Sequence, residues 1–389
     1  MKNGWTTNRL GDVCEIIMGQ SPDGNSYNTT GKGVPLINGP VEFSEDSFGK
    51  TIPSKFTTQP TKFCKEGDLI LCVRGSTTGR MNIAGFYACI GRGVAAIRAK
   101  QYQPWVNHFI SSKRYEIHGK GTGATFPNIS GATLADFKLA MAPLPEQQRI
   151  VGILDEAFEG IATAKANAEK NLQNARAIFE SHLQSVFTQR GPGWVDRQLA
   201  SLCLEITVGH VGSMKTEYKD SGIPFLRSQN IRPFEVSMGN AMFIDKVFHR
   251  ALKKSQLRPG DLAIVRTGYP GTAAVIPPEL PDSNCSDLVI VRPSKEVNPH
   301  FLAAFFNSAF GKQLVLGKIV GAAQKHFNIT AAKEVMLHVP PIPEQRTIVA
   351  KVDDLREETQ RLARLYERKL AALDDLKKSL LHQAFSGAL

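Results

Sequence analysis

The chain has 389 residues, of which 42% are hydrophobic and 21% charged, and its formal net charge is +11. That length favours two or more domains over a single core. No apolar run approaches the roughly 18 residues of a membrane span, and the first residues lack the apolar segment of a secretory signal, so we expect a cytoplasmic protein that binds no membrane.

Cysteine spacing and charge distribution narrow the class of protein further. The six cysteines stand far apart without a C-x-x-C pair, which argues against a zinc site or a disulfide framework and fits a reducing compartment. Residues 1–143 carry a net charge of +6 and residues 191–341 carry +5, whereas 144–190 and 342–389 carry −1 and +1. A basic excess in two segments indicates a polyanionic partner, with nucleic acid first, although charge that only maintains solubility accounts for it equally well.

Residues 1–143 have the pattern of a mixed globular domain. The apolar runs at 69–73 and 94–97 predict buried strands, the first of them after a Gly-Asp turn, and residues 104–110 predict a short helix. Glycine, proline, threonine and asparagine fill the intervening segments, which is typical of loops.

A long helix is predicted from residue 144 to 190. No proline occurs between Pro145 and Pro192, and apolar or small side chains recur every three or four residues from Ile150 to Val186, with Ile178 among them. About 40 helical residues span about 60 Å, and a helix with one apolar stripe requires a partner.

The second half of the chain repeats this arrangement. The runs at 262–265 and 288–291 predict buried strands, and residues 299–306 predict a short helix. Residues 342–389 contain no proline after Pro343 and predict a second long helix, whose apolar seam includes Leu355, Leu362 and Leu376.

Matching sequences in the same order identify an internal duplication. The pairs are Gly4-Trp5 with Gly193-Trp194, Gly67-Asp68-Leu69 with Gly260-Asp261-Leu262, Asn128-Ile129 with Asn328-Ile329, and PLPEQQRIV at 143–151 with PIPEQRTIV at 341–349. We therefore predict an α+β protein with an internal pseudo-two-fold duplication. Two mixed α/β domains, residues 1–143 and 191–341, are each followed by a long helix, 144–190 and 342–389, and the two helices pair as an antiparallel coiled coil.

The recurring PxPEQ motif has two interpretations. The prolines suit the first helical turn, and Glu146 and Glu344 place negative charge at the positive helix N-terminus, so the motif could act only as a helix start. The recurrence of Gln147 and Gln345 instead favours a shared docking surface for a partner subunit. Both interpretations stay open from the sequence.

These motifs together resemble the specificity (S) subunit of type I restriction–modification systems. The resemblance rests on the double PxPEQ, the openings Trp5-x4-Leu10 and Trp194-x4-Leu199, the Gly-Asp-Leu strand starts and the Asn-Ile pair, and it covers essentially the whole chain. It implies that each globular domain is a target recognition domain that reads one half of a split, asymmetric sequence in double-stranded DNA. The two helices would set the distance between the half-sites.

The same resemblance implies a set of partner subunits. Two modification subunits would dock on the helices and use S-adenosylmethionine to methylate adenine at N6, and restriction subunits would add a nuclease that uses ATP and magnesium. The S subunit itself would carry no catalytic centre, cofactor or metal. The chain agrees, because it lacks an amino-methyltransferase motif, a Walker A loop and a metal-binding histidine spacing.

Candidate DNA contacts are basic or amide side chains on glycine-punctuated loops, since Lys and Arg neutralise phosphates and Arg, Asn and Gln read base edges. In the first copy the candidates are Asn38, Lys50, Lys55, Lys62, Arg74, Thr77, Thr78, Arg80, Thr122, Thr125 and Asn128. In the second copy they are Lys215, Arg227, Gln229, Asn230, Arg232, Arg250, Lys253, Lys254, Arg266, Tyr269, Lys325, His326 and Asn328.

Structural roles compete with DNA contact at several of these positions. Arg74 and Arg266 follow strands and could form ion pairs, Asn128 and Asn328 could brace loops, and residues 249–254 could be a solvated helix face. For the whole chain, a coiled-coil scaffold with protein-binding lobes and an enzyme with an unrecognised site are the alternatives to a DNA-reading subunit. The segregated charge favours DNA over the scaffold, and the absence of a catalytic motif argues against the enzyme.

Overall fold

The computed structural model describes residues 4–121, 128–189, 191–317 and 327–389. The chain divides into two compact units. Unit 1 comprises residues 1–168 and 368–389, and unit 2 comprises residues 169–367. Within the described ranges, no helix combines the length and the apolar character needed to cross a membrane.

Unit 1 is built from short strands and short helices that precede a long helix. Its strands are β1 (Thr6–Arg9), β2 (Cys14–Met18), β3 (Tyr27–Asn28), β4 (Val34–Ile37), β5 (Phe56–Thr57), β6 (Phe63–Cys64), β7 (Leu69–Cys72), β8 (Met81–Ile83), β9 (Ala88–Ile90), β10 (Val94–Ala99) and β11 (Lys138–Met141). Its helices are α1 (Leu10–Val13), α2 (Gln103–Ser112), α3 (Arg114–Gly119), α4 (Gly131–Ala135) and the first part of α5 (Leu144–Thr188).

Unit 2 repeats this order of elements. Its strands are β12 (Val195–Gln198), β13 (Cys203–Val208), β14 (Ile223–Leu226), β15 (Ile231–Arg232), β16 (Glu235–Val236), β17 (Met242–Ile244), β18 (Gln256–Leu257), β19 (Leu262–Val265), β20 (Ala273–Val275), β21 (Ser283–Cys285), β22 (Leu288–Pro293) and β23 (Met336–Val339). Its helices are α6 (Lys246–Ala251), α7 (Pro299–Asn307), α8 (Ala309–Gly317), α9 (Ile329–Lys333) and most of α10 (Ile342–Ser386).

The sheet topology confirms the duplication inferred from the sequence. Unit 1 has an antiparallel sheet in the order β2-β10-β7-β8, and unit 2 has the equivalent order β13-β22-β19-β20. A second sheet contains a parallel pair in each unit, β4 with β9 and β14 with β21. A two-stranded sheet joins the start and end of each domain, β1 with β11 and β12 with β23. The hairpin of β15 and β16 has no counterpart among the described strands of unit 1.

Burial on both faces explains why the central strands are continuous apolar runs. In β7, Leu69 and Leu71 pack into the core shared with the helices, whereas Ile70 and Cys72 pack against the second sheet. Strand β19 divides in the same way between two cores. Successive side chains of a strand point to opposite faces, so a strand covered on both sides has no polar face.

The Gly-Asp turn before each central strand is held by a buried carboxylate. Asp68 accepts a hydrogen bond from the Lys65 backbone N–H at 2.7 Å and forms an ion pair with Arg98 of β10 at 2.7 Å. Asp261 accepts from the Arg258 backbone N–H at 2.9 Å in the equivalent turn. The Gly-Asp-Leu motif is therefore conserved between the two halves because it closes a buried turn.

The long helices pair antiparallel in the parts that each unit contains. In unit 1, Arg149 donates to the Leu389 carbonyl at 3.1 Å, and Lys165 forms an ion pair with Asp374 at 2.8 Å. In unit 2, Arg176 pairs with Glu367 at 3.2 Å. Each helix has 45 residues and lies within its predicted range, 144–190 or 342–389.

The predicted apolar seam is correct for most positions and wrong for two. Ile150, Leu154, Ile161, Ala168 and Ala175 are buried along α5. Ile178 and Leu376, by contrast, are 53% and 47% exposed, so they lie off the seam. A strict three-four spacing drifts around a straight helix, which carries some apolar residues away from the partner.

Both glutamines of the PxPEQ motifs are buried and hydrogen-bonded within their own units. Gln147 is 1% exposed, and its Nε2 donates to the Ala142 carbonyl at 2.7 Å. Gln345 is fully buried; its Nε2 donates to the carbonyls of Pro340 at 2.8 Å and Glu296 at 3.3 Å, while its Oε1 accepts from the Asn298 backbone N–H at 2.7 Å. The side chains therefore fasten the first turn of each long helix to the preceding domain.

The glutamates of the motif also have partners inside their units. Glu146 forms a two-point contact with Arg149 at 2.7 and 2.9 Å, and Glu344 accepts from the indole N–H of Trp194 at 2.8 Å. The tryptophan that opens the second domain is thus linked to the start of its helix.

We expect Gln345→Ala to lower the free energy of unfolding of unit 2 by about 2–3 kcal/mol, because it removes a buried side chain and leaves the half-buried Asn298 N–H without its acceptor. Gln147→Ala is the matched comparison, and we expect it to cost unit 1 about 1 kcal/mol. Urea unfolding combined with hydrogen exchange of peptides from each unit measures both values. Equal losses in the two variants would contradict this assignment.

Candidate nucleic-acid interface

One cleft in unit 2 brings together three of the candidates from the sequence. Gln229, Arg232 and Tyr269 line a cleft of about 560 Å³. Its complete lining is Ser228, Gln229, Ile231, Arg232, Pro233, Val265, Thr267, Gly268, Tyr269, Thr272 and Lys312. An amide, a guanidinium, an ammonium group and an aromatic ring therefore face one space without a carboxylate among them.

The first wall of the cleft is the turn that follows β14. Asn230 holds this turn from inside, because its Oδ1 accepts from the Arg227 backbone N–H at 2.9 Å and its Nδ2 donates to the Ser237 carbonyl at 3.0 Å. Asn230 is buried, so the structure gives it a bracing position, whereas Gln229 next to it is exposed.

The second wall is the hairpin loop between β19 and β20. Gly268 and Gly271 have φ values of +81° and +90°, a left-handed region that side chains other than glycine rarely adopt. They flank Tyr269, whose side chain is 84% exposed at the tip of the loop. Arg266 at the base donates from Nε to the Phe327 carbonyl at 3.3 Å, which anchors the loop.

Asp287 joins the two walls and was not identified from the sequence. Its carboxylate accepts hydrogen bonds from the Ser228 hydroxyl at 2.9 Å and from the Thr267 hydroxyl. Its backbone has a φ of +56°, which Asp tolerates better than most residues. A left-handed aspartate leaves no signal in the sequence, since only the fold places Ser228 and Thr267 beside it.

Lys312 is a basic lining residue that was not among the candidates from the sequence. It lies on α8, outside the glycine-punctuated loops, and the fold places it in the lining of the cleft. The polar Gln313 follows it in the same helix, so Lys312 does not stand out in the sequence.

The remaining described candidates of unit 2 lie outside this cleft. Arg227 donates to the Asn240 carbonyl at 3.1 Å and lies over the ring of Tyr218 at 5.9 Å. Asn328 caps α9 by accepting from the Ala331 backbone N–H at 2.8 Å. The other candidates outside the cleft are exposed basic side chains, Lys215, Arg250, Lys253 and Lys254. Lys325 and His326 lie outside the described residues.

Unit 1 has an equivalent hairpin loop with different residues. Gly75 and Gly79, with φ values of +82° and +88°, occupy the positions of Gly268 and Gly271 between β7 and β8. Thr78 is buried and donates to the Gly75 carbonyl at 2.8 Å, so it shapes the loop from inside. Arg74 is exposed at the base, in a β-bridge with Asn128, and Thr77 and Arg80 are half-buried.

The turn after β4 in unit 1 is braced as the turn after β14 is in unit 2. Glu42 is buried and accepts from the backbone N–H groups of Asn38 and Gly39, both at 3.2 Å, which is the part played by Asn230 in unit 2. Lys50 forms an ion pair with Glu66 at 3.1 Å. Lys62 is exposed and Lys55 half-buried, while Thr122 and Thr125 lie outside the described residues.

Four cysteines lie in or against the cores of the two units. Burial raises the pKa of the thiols of Cys64 and Cys72 to about 11 and those of Cys14 and Cys203 to about 12, so they stay protonated near neutral pH and are poor nucleophiles. Across the described ranges, no group of three or more His, Cys, Asp or Glu side chains is placed to hold a metal ion.

Comparisons with known proteins agree with this architecture. Residues 2–173 match the model of the type I restriction modification DNA specificity domain. The MjaX specificity subunit of Methanocaldococcus jannaschii, named as part of a type I restriction enzyme, is 33% identical over 179 residues, which are 44% of this chain and 40% of that protein. This chain therefore matches about two fifths of that relative's length.

Two further similarities extend over most or all of the chain. The EcoKI specificity subunit of Escherichia coli is 22% identical over 369 residues, which are 87% of this chain and 78% of that subunit. A chain solved in a study of the assembly and conformational transition of the type I restriction–modification system has a TM-score of 0.83 at 20% identity and covers 100% of this chain and 99% of its own. The structural similarity establishes a shared fold.

We expect Asp287→Gly to loosen both walls of the cleft without unfolding unit 2, because glycine adopts the same φ but removes the shared acceptor. Hydrogen exchange in residues 228–230 and 267–271 should rise roughly tenfold. Asp287→Asn is the matched control, since it tolerates the left-handed backbone and keeps one acceptor oxygen, and its exchange should rise less. Exchange unchanged in both variants would contradict the role assigned to Asp287.

Proposed function

Because the chain belongs to the family of type I restriction–modification DNA specificity subunits, we propose that its two units read the two halves of a bipartite, asymmetric DNA target. As a specificity subunit, it is the non-catalytic part of the type I complex. The observation that carries the proposal is the cleft of unit 2, where Gln229, Arg232, Tyr269 and Lys312 converge.

Each of these four side chains fits one kind of DNA contact. The amide of Gln229 can pair bidentately with adenine, and the guanidinium of Arg232 can pair with guanine in the major groove. Lys312 at the rim suits a phosphate, and the exposed ring of Tyr269 suits a base face or a thymine methyl group. In unit 1 the corresponding contacts would come from the loop of Arg74, Thr77 and Arg80 and from Asn38, a different set of side chains that suits a different half-site.

Partner subunits would supply the chemistry of the complex. We infer two modification subunits, which hold S-adenosylmethionine, and restriction subunits, which hold ATP and magnesium, assembled on this chain in the cytoplasm. The paired helices support the proposal that they act as the spacer between half-sites. Docking at the PxPEQ motifs would involve their exposed surroundings, since Gln147 and Gln345 are buried.

Methylome sequencing of cells that carry this chain with its modification subunit tests the function directly. We expect one bipartite motif containing N6-methyladenine in each half. Arg232→Ala or Gln229→Ala should relax the motif at one position in one half only, by about 1–3 kcal/mol of discrimination, while the other half stays unchanged. Methylation without a bipartite motif, or relaxation in both halves, would contradict the assignment of unit 2 to one half-site.

Salt dependence separates phosphate contacts from base contacts. We expect Lys312→Ala to weaken binding of a cognate duplex uniformly across sequences and to reduce the slope of log K against log salt by about one. Lys295→Ala, an exposed lysine of unit 2 outside the cleft, is the matched control and should leave the slope unchanged. Binding that does not depend on salt would favour a protein scaffold over DNA recognition.

A further inference from the structure

A second cavity, unrelated to the DNA-reading loops, lies in unit 1 where the domain meets the end of α10. Its volume is about 530 Å³. The floor is aromatic, formed by Trp5, Phe109 and Phe385, and the rim carries Lys113, Lys138, Lys378 and His382, with no carboxylate among the lining residues. The cavity therefore combines an apolar base with a basic edge, although Lys113 and Lys378 also pair with Glu116 and Asp375 outside the lining, both at 2.9 Å.

The duplication shows what fills the equivalent place in unit 2. Phe385 contacts Trp105 and Phe109 at ring distances of 4.8 and 5.5 Å, and Phe187 contacts Phe301 and Phe305 at 5.3 and 5.5 Å in the same pattern. The strand registers also correspond, because the cross-strand pair Thr7–Ala140 at the cavity of unit 1 matches the pair Asp196–His338 of unit 2.

In unit 2 this position is occupied by the chain itself. The ring of Phe310 packs against Phe305 at 6.2 Å and His338 at 6.3 Å, and its backbone N–H donates to Gln184 Oε1 at 2.7 Å. The carboxylate of Asp196 binds the His338 ring beside it. An aromatic side chain next to a carboxylate therefore completes the site in unit 2.

The cavity of unit 1 has neither the aromatic side chain nor the carboxylate, and basic side chains line it instead. Ser112 and Ser308 make the same hydrogen bond, because each hydroxyl donates to the carbonyl three residues before it, of Phe109 and Phe305, at 2.6 Å. This match aligns Phe310 with the exposed Arg114. Lys138, Lys378 and His382 stand where unit 2 has Met336, Glu180 and Gln184. The neighbouring Tyr115 is 77% exposed and leaves the cavity open.

We propose that the cavity of unit 1 is a docking site for a peptide segment of a partner protein that carries an aromatic side chain beside carboxylates. The ring would lie on the Trp5, Phe109 and Phe385 floor, as Phe310 lies on its counterpart in unit 2, and the acids would meet Lys138 and Lys378 at the rim. Since the equivalent place in unit 2 is filled, such a partner binds one unit and distinguishes the two halves of the duplicated chain. This inference does not depend on DNA reading.

Fluorescence polarisation with the full-length chain and a fluorescein-labelled hexapeptide, Gly-Glu-Asp-Phe-Glu-Gly, tests the proposal. We expect saturable binding with a Kd below about 1 mM, lost when alanine replaces the phenylalanine of the peptide. Arg114→Phe supplies the filler of unit 2 and should weaken binding at least about tenfold, whereas Arg114→Ala should weaken it no more than about twofold.

Charge variants decide the question if Arg114→Phe fails to fold. Lys138→Met and Lys378→Glu introduce the residues of unit 2 at exposed positions, and each should weaken binding about fivefold. Lys295→Met is the matched control in unit 2 and should change nothing. Absence of saturable binding to the unmodified chain would overturn the proposal, as would affinity unchanged in both rim variants.

Discussion

The fixed geometry between each domain and its long helix depends on one buried glutamine. Gln345 links the first turn of α10 to the carbonyls of Pro340 and Glu296 and to the backbone N–H of Asn298. Three backbone groups of the domain are therefore fixed in position relative to the helix. Gln147 makes the same attachment to Ala142 with fewer bonds. A buried amide without these partners would be strongly unfavourable, so the helix can start in only one position.

That constraint gives the loops a rigid base on which they can differ. The sheet order, the Gly-Asp turn and the helix start are the same in both units because each is buried and satisfies specific backbone groups. The loops at the sheet edge are less constrained, so one copy has Ser76, Thr77 and the buried Thr78 between its glycines where the other has Tyr269 and Pro270. Duplication followed by divergence at the edge gives two different loop surfaces on one scaffold.

The sequence predicted what depends on apolar pattern and repetition. The strands β7, β10, β19 and β22 and both long helices were recognisable, because burial on two faces and a proline-free heptad pattern leave direct traces in the residues. The pattern did not identify which polar side chains are buried. Asn230 and Gln345 look like candidates for contact with a partner, yet both turn inward, since backbone groups that are distant in sequence need their hydrogen bonds.

The dependence on contacts between residues distant in sequence also explains why Asp287 and Lys312 were not identified from the sequence. Lys312 lines the cleft, and Asp287 braces its two walls, only because the fold brings α8 and the loops after β14, β19 and β21 together. Nothing in the local sequence of either residue indicates this. An apolar stripe on a helix likewise does not show which domain it packs against. Leu381 and Ala384 of α10 belong to the core of unit 1, although they are far along the chain from that domain. Comparison of the two copies recovers part of this information, because an aromatic side chain that fills a place in one half and is absent from the other marks a structural difference between the two units.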